Sequence, residues 1–228
     1  MPSRPRSPWK IAGFGCAALL VAVAVALVAF LFVGQRMARR VREQTVDPAL
    51  RSTRVQEVLP APAWPAGYEP VLGISVPLLG RVAVLERPPA TPGPGDEIGS
   101  RGRFLYLVRG RSDRVERRGD DLERLLDLRG LEVERGGPVA SGELTVGETV
   151  LVYRTIRARL TARPRGAWPV LAALVDVRCP DAGKTVRFGA WIEPDPASGR
   201  PPEESDLAGT PADPEAIRRF MASFRFCS

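Results

Sequence analysis

Histidine is absent from all 228 residues. That excludes Ser-His-Asp and Cys-His triads, imidazole metal ligands and imidazole pH switches. Lysine is scarce too, occurring only at Lys10 and Lys184, so arginine carries almost all the positive charge. With alanine, glycine, proline and valine abundant beside it, this reads as a GC-rich coding bias rather than a selection for guanidinium chemistry. Cysteine is limited to Cys16, Cys179 and Cys227, and no two are close enough to form a CxxC redox or zinc motif. No serine lies in a G-x-S-x-G elbow, and neither a P-loop nor a carboxylate metal cluster is present. Gly93, Gly95 and Gly99 follow a proline-rich segment at the wrong spacing for a dinucleotide fingerprint. The expectation is therefore no catalytic constellation, no metal and no cofactor.

The formal charge of +7 invites a nucleic-acid partner until it is located. Residues 1 to 43 carry Arg4, Arg6, Lys10, Arg36, Arg39, Arg40 and Arg42 against Glu43 alone. The remaining chain holds 26 basic and 25 acidic side chains. Basicity belongs to the amino-terminal region, the rest is close to neutral, and no nucleic-acid partner is expected.

Between those basic residues lies the longest apolar run, Ile11 to Val33, with no charged side chain. As a helix its 23 residues extend about 34 Å, enough to cross a hydrocarbon core of about 30 Å. A cleaved signal peptide has a shorter apolar region and small residues at its cleavage site, whereas this run ends FLFVGQRM. Cys16 lies near the beginning of the run, where a lipoprotein cysteine would come after it. The expectation is a retained single-span anchor over 11–33 after a basic tail of residues 1–10. Lys10, Arg36, Arg39, Arg40 and Arg42 would then flank the bilayer and snorkel toward lipid phosphates. The charge count leans slightly toward a cytoplasmic domain. A short basic tail before a long apolar run is, however, how bacterial signal anchors export the domain attached to them, and the extracytoplasmic orientation is preferred.

Beyond the anchor, Asp47-Pro48 is a helix-start signal for DPALRSTRVQEVL. PAPAWPAG, with its prolines, cannot stay helical. Residues 34–63 thus read as a juxtamembrane helix and linker, with an α+β domain over 64–228. YEPVLGISVP, RVAVLER, RFLYLVR, LEVERG, GELTV, ETVLVYRTIRARL, VLAALVDVRC and KTVRFGAWIE read as strands, the last two forming a hairpin. Asp120 starts a helix over DLERLLDLR, and Asp213-Pro214 starts another whose Ile217, Phe220, Met221 and Phe224 fall on one face. An antiparallel sheet with helices packed on one face is expected.

Two features of this domain bear on function. In ETVLVYRTIRARL, Val150, Val152, Ile156, Ala158 and Leu160 form an apolar face that Arg154 interrupts. Asp176 breaks the next strand's pattern, so Arg154 and Asp176 are candidates for a polar pocket, with a structural ion pair or an emerging strand end as the simpler readings. Cys179 and Cys227 either form one disulfide, if the domain faces an oxidising compartment, or remain two thiols.

The segments WKIAGFGC, DPAL, WPAGYEP and VLGISVPLLGRVAVLE resemble those of uncharacterised single-span bacterial membrane proteins. DPEAIRRFMASFRFC resembles the terminal helix-strand of PsbP/Mog1-like domains, and the similarity runs from Tyr68 to Cys227. It implies an α+β fold that binds partners rather than catalyses, and it carries over no functional residue. The resulting expectation is a protein of the bacterial inner membrane, held by the lipid bilayer, whose periplasmic domain binds an envelope protein partner. The alternatives are a histidine-independent envelope enzyme and a cytoplasmic-facing regulatory domain.

Overall fold

The computed structural model describes residues 47–76, 80–88, 101–110, 131–162, 166–180, 185–201 and 204–227, and Asp-Pro opens both helices among these described residues. The first, α1, is Pro48–Val58, and its N-cap Asp47 accepts from the amides of Ala49 and Leu50. The second, α2, is Pro214–Met221, capped by Asp213, which accepts from Glu215. Proline at the first helical position loses no hydrogen bond there, and the aspartate satisfies amides that have no partner within the helix.

Seven strands form one antiparallel sheet: β1 (Glu69–Val76), β2 (Gly80–Glu86), β3 (Arg103–Gly110), β4 (Leu131–Val146), β5 (Thr149–Ala162), β6 (Gly166–Arg178) and β7 (Thr185–Pro194). Their order is β1-β2-β3-β7-β6-β5-β4. The chain thus makes a three-stranded meander, then a four-stranded one, and closes them by pairing β7 with β3, Trp191 opposite Phe104 and Gly189 opposite Tyr106. The fold class is α+β. LEVERG and GELTV are a single strand, β4, rather than two. Its register shifts between Arg135 and Ala140, where Gly136, Gly137 and Pro138 bend the edge without ending it. Gly147-Glu148 makes the two-residue β4–β5 turn, with Gly147 at φ 60°.

Strand parity assigns the two faces of the sheet. Ala83, Leu85, Phe104, Tyr106, Leu151, Tyr153, Val175 and Trp191 bury one face against Val55, Val58 and Leu59 of the α1 region and Ile217, Phe220 and Met221 of α2. Both described helices therefore lie on that face. Ile156, Ala158, Leu160, Val170, Ala172 and Ile192 form a second cluster on the opposite face. In β7 Trp191 belongs to the helix-covered face, and both faces of that strand are buried over its second half. Helix α1 is no free linker, since its backbone lies directly on β1. A Cβ on Gly73 would be 2.6 Å from the amide nitrogen of Val55. The compact unit begins at Asp47, earlier than the boundary expected at Trp64.

The terminal segment also differs from the expected helix-strand. Residues after α2 continue as turns that bury Phe224 and Phe226 beside the sheet, without adding a strand. Among the described residues no helix is long and apolar enough to cross a membrane. The apolar run 11–33, its flanking Lys10, Arg36, Arg39, Arg40 and Arg42, and the helix expected after Asp120 lie outside the described residues.

Candidate functional site

The two residues singled out as a pocket pair share one face of neighbouring strands but are offset by one rung. Arg154 of β5 stands opposite Leu174, and Asp176 of β6 stands opposite Val152. The Arg154 side chain is exposed rather than buried in the apolar face, because the second cluster begins only at Ile156. Asp176 has an ionic contact with Arg178 at 3.4 Å. The guanidinium of Arg154 accordingly pays no burial penalty and imposes no need for an internal counter-ion.

Cys179 and Cys227 are brought together as a disulfide, with Cα atoms 5.5 Å apart. Cys179 follows the end of β6 and Cys227 lies beyond α2, so the link ties the tail to the sheet. The Thr149 hydroxyl is 3.1 Å from the Cys227 sulfur.

Two polar constellations went unforeseen in the sequence. The first is built on β7. Trp191 and Glu193 project from the helix-covered face, and Tyr68, at the end of the proline-rich segment, meets both. The Tyr68 hydroxyl donates to Glu193 Oε1, while Trp191 Nε1 lies 2.7 Å from the Tyr68 oxygen and 3.1 Å from Glu193 Oε1. Arg87 completes the cluster, 3.0 Å from Glu193 Oε1 and with its guanidinium carbon 5.0 Å from the Tyr68 ring centroid. A Cβ on Gly102 would lie 2.6 Å from Glu193 Oε2, so a glycine there leaves room for the carboxylate. Burial raises the Tyr68 hydroxyl well above its ordinary range, and the Glu193 charge raises it further. The phenol is consequently a fixed donor to Oε1 of Glu193, which Trp191 and Arg87 also engage.

The second constellation is a cleft of about 240 Å³ beside the β4 bend, lined by Gly136, Arg157, Arg159, Pro169, Asp195 and Ser198 among others. Arg157 Nε lies 2.9 Å from Asp195 Oδ2, an ionic contact without the alignment of a hydrogen bond. Its other two nitrogens donate to backbone carbonyls of Arg200 and, at 3.4 Å, Ala197. Asp195 in turn accepts from the amide of Ala197 at 3.0 Å. One guanidinium thus holds the 195–201 segment against β5.

Both constellations have their strongest groups turned toward partners inside the protein. They fasten the fold. Neither aims a base and a nucleophile at a common point, the geometry that acid–base or covalent catalysis requires. No family model matches the chain, and no curated protein matches it. Similar solved structures exist, at low superposition. A point mutant of the protein Mog1 is 15% identical, with a TM-score of 0.35, over 70% of this chain and 84% of that one. The Saccharomyces cerevisiae Ran-binding protein Mog1p is 16% identical, with a TM-score of 0.32, over 69% and 86% respectively. The functional reading rests on the residues of this chain.

Proposed function

We propose that this protein is a membrane-anchored binding or accessory module of the bacterial inner membrane. A single helix over 11–33 holds it in the bilayer, and its α+β domain works on the periplasmic side with an envelope protein as partner. The carrying observation is the pairing of Cys179 with Cys227. Disulfides form and persist in oxidising compartments and are rare in cytosolic proteins. The apolar run supplies the anchor, and its length supports retention over cleavage.

Alkaline phosphatase fused after Ser228 tests the side directly, because the reporter folds only where its own disulfides form. An active fusion, with wild-type chains resistant to thiol alkylation until reduced, is the expected result. An inactive fusion with freely alkylated Cys179 and Cys227 would place the domain in the cytoplasm and overturn the reading. Retention of the anchor is checked separately by the mass of the chain extracted from membranes, which includes residues 1–46 if nothing is cleaved.

A further inference from the structure

On the helix-covered face, one rung of the sheet brings two arginines to either side of β3. Arg81 of β2 stands opposite Val108, and Arg187 of β7 stands opposite the same Val108 from the other side. Their Cα atoms are separated by two strand spacings, about 10 Å, and their side chains leave the same face. Tyr106 occupies the next position of that face on β3. Its ring is buried against Phe226, with centroids 5.4 Å apart, and the charges of Arg187 and Arg81 both act on its hydroxyl.

The charges on this rung are unbalanced. Among the described residues no carboxylate forms an ion pair with Arg81 or Arg187. Nη1 of Arg187 is buried, and no group among the described residues accepts a hydrogen bond from it. A buried guanidinium donor without an acceptor is costly. Burial pushes the Tyr106 hydroxyl up to about 12, so at neutral pH it keeps its proton.

We propose that Arg81, Tyr106 and Arg187 form a binding site for a phosphate-type oxyanion. A guanidinium flanks β3 on each side, and a hydroxyl belongs to the strand between them. A tetrahedral oxyanion has an oxygen for each direction, whereas a planar carboxylate can serve only two in one plane. The exposed Arg81 provides the approach, and the more enclosed Arg187 provides the fixed end. The site does not depend on which side of the membrane the domain faces.

The test uses the full chain in neutral detergent, titrated with inorganic phosphate at constant ionic strength and followed by thermal unfolding. A ligand that binds only the folded state raises the melting temperature in proportion to its occupancy. Wild-type protein should respond, Arg81→Gln should need about tenfold more phosphate for the same response, and Tyr106→Phe should also weaken it. Because Arg81 is exposed, its variant keeps the fold even if Arg187→Gln does not. A parallel titration in phosphatidylcholine nanodiscs, with and without phosphatidate, distinguishes a lipid headgroup from free phosphate. A response to free phosphate that Arg81→Gln weakens identifies a soluble phosphate. One seen only with phosphatidate, and weakened likewise, identifies a headgroup. Equal behaviour of wild type and Arg81→Gln in both titrations overturns the site.

Discussion

Phe220 is the side chain on which the core converges. It stacks on Trp191 with centroids 4.5 Å apart, and it meets Tyr68, Phe104 and Phe224 at 5.0, 5.1 and 5.6 Å. Truncation leaves a void that rings from three separate parts of the chain cannot all fill. Phe220→Ala should therefore cost about 3–5 kcal/mol in denaturant-unfolding measurements. Tyr68→Phe is a finer probe, since it keeps the ring and removes the hydroxyl between Trp191 and Glu193. It should cost about 1–3 kcal/mol and shift the Trp191 fluorescence. An unchanged midpoint and emission would show that the cluster does not hold Tyr68. Phe220 was legible from helical periodicity, because the apolar stripe of α2 is local. Tyr68 and Glu193 are 125 residues apart, and no local pattern connects a tyrosine after a proline-rich segment to an acid at a strand end. Arg154 shows the complementary limit of a local pattern. Period-two alternation identifies a face but not where burial on that face stops.

At the scale of elements, caps and short turns were the most readable features, since one or two residues determine them. Asp47, Asp213 and Gly147-Glu148 all occupy the positions their chemistry requires. Hydrogen bonds from the amides of Gly209 and Glu215 hold the Asp213 carboxyl below the usual carboxylate range. A group whose folded-state value is depressed contributes stability above its unfolded value and loses it as pH falls through the folded one. The wild type should thus lose α2 stability only in acid, below the ordinary aspartate range, while Asp213→Asn flattens that part of the curve. Melting curves of the two proteins from neutral pH to pH 2 check this. The seat of α1 was not legible, because Gly73 looks like any strand glycine until a helix backbone lies on it. Gly73→Ala forces α1 away from β1 and should cost about 1–3 kcal/mol, with amide exchange accelerated in 48–58. Wild-type exchange in the variant would show that the helix yields without cost.

For the whole molecule, strands were easier to read than their order. Each hairpin followed from neighbouring segments, but the union of the two meanders through β3 and β7 joins residues some eighty positions apart, such as Leu107 and Phe188. No periodicity encodes such a pairing. It arises because Phe104, Tyr106, Gly189 and Trp191 complete one aromatic face under α2. The Cys179–Cys227 link closes a separation of 48 residues, and on a chain-entropy model that is about 4 kcal/mol of stabilisation. Reduction, or Cys227→Ser, should lower the melting temperature by about 10 °C. Equal melting of oxidised and reduced protein would show the link to be dispensable.

The amide of Arg225 donates to the carbonyl of Pro60 at 2.8 Å. Through that bond the segment entering the sheet is laced to the tail that Cys227 anchors on β6. Mechanically, a pull on the chain at Asp47 meets three fastenings in turn: the α1 seat, the Pro60–Arg225 bond and the Tyr68 clamp. All three precede Glu69, the first residue of edge strand β1. The edge that a tether would otherwise peel away one hydrogen bond at a time is shielded from load until those contacts have given way.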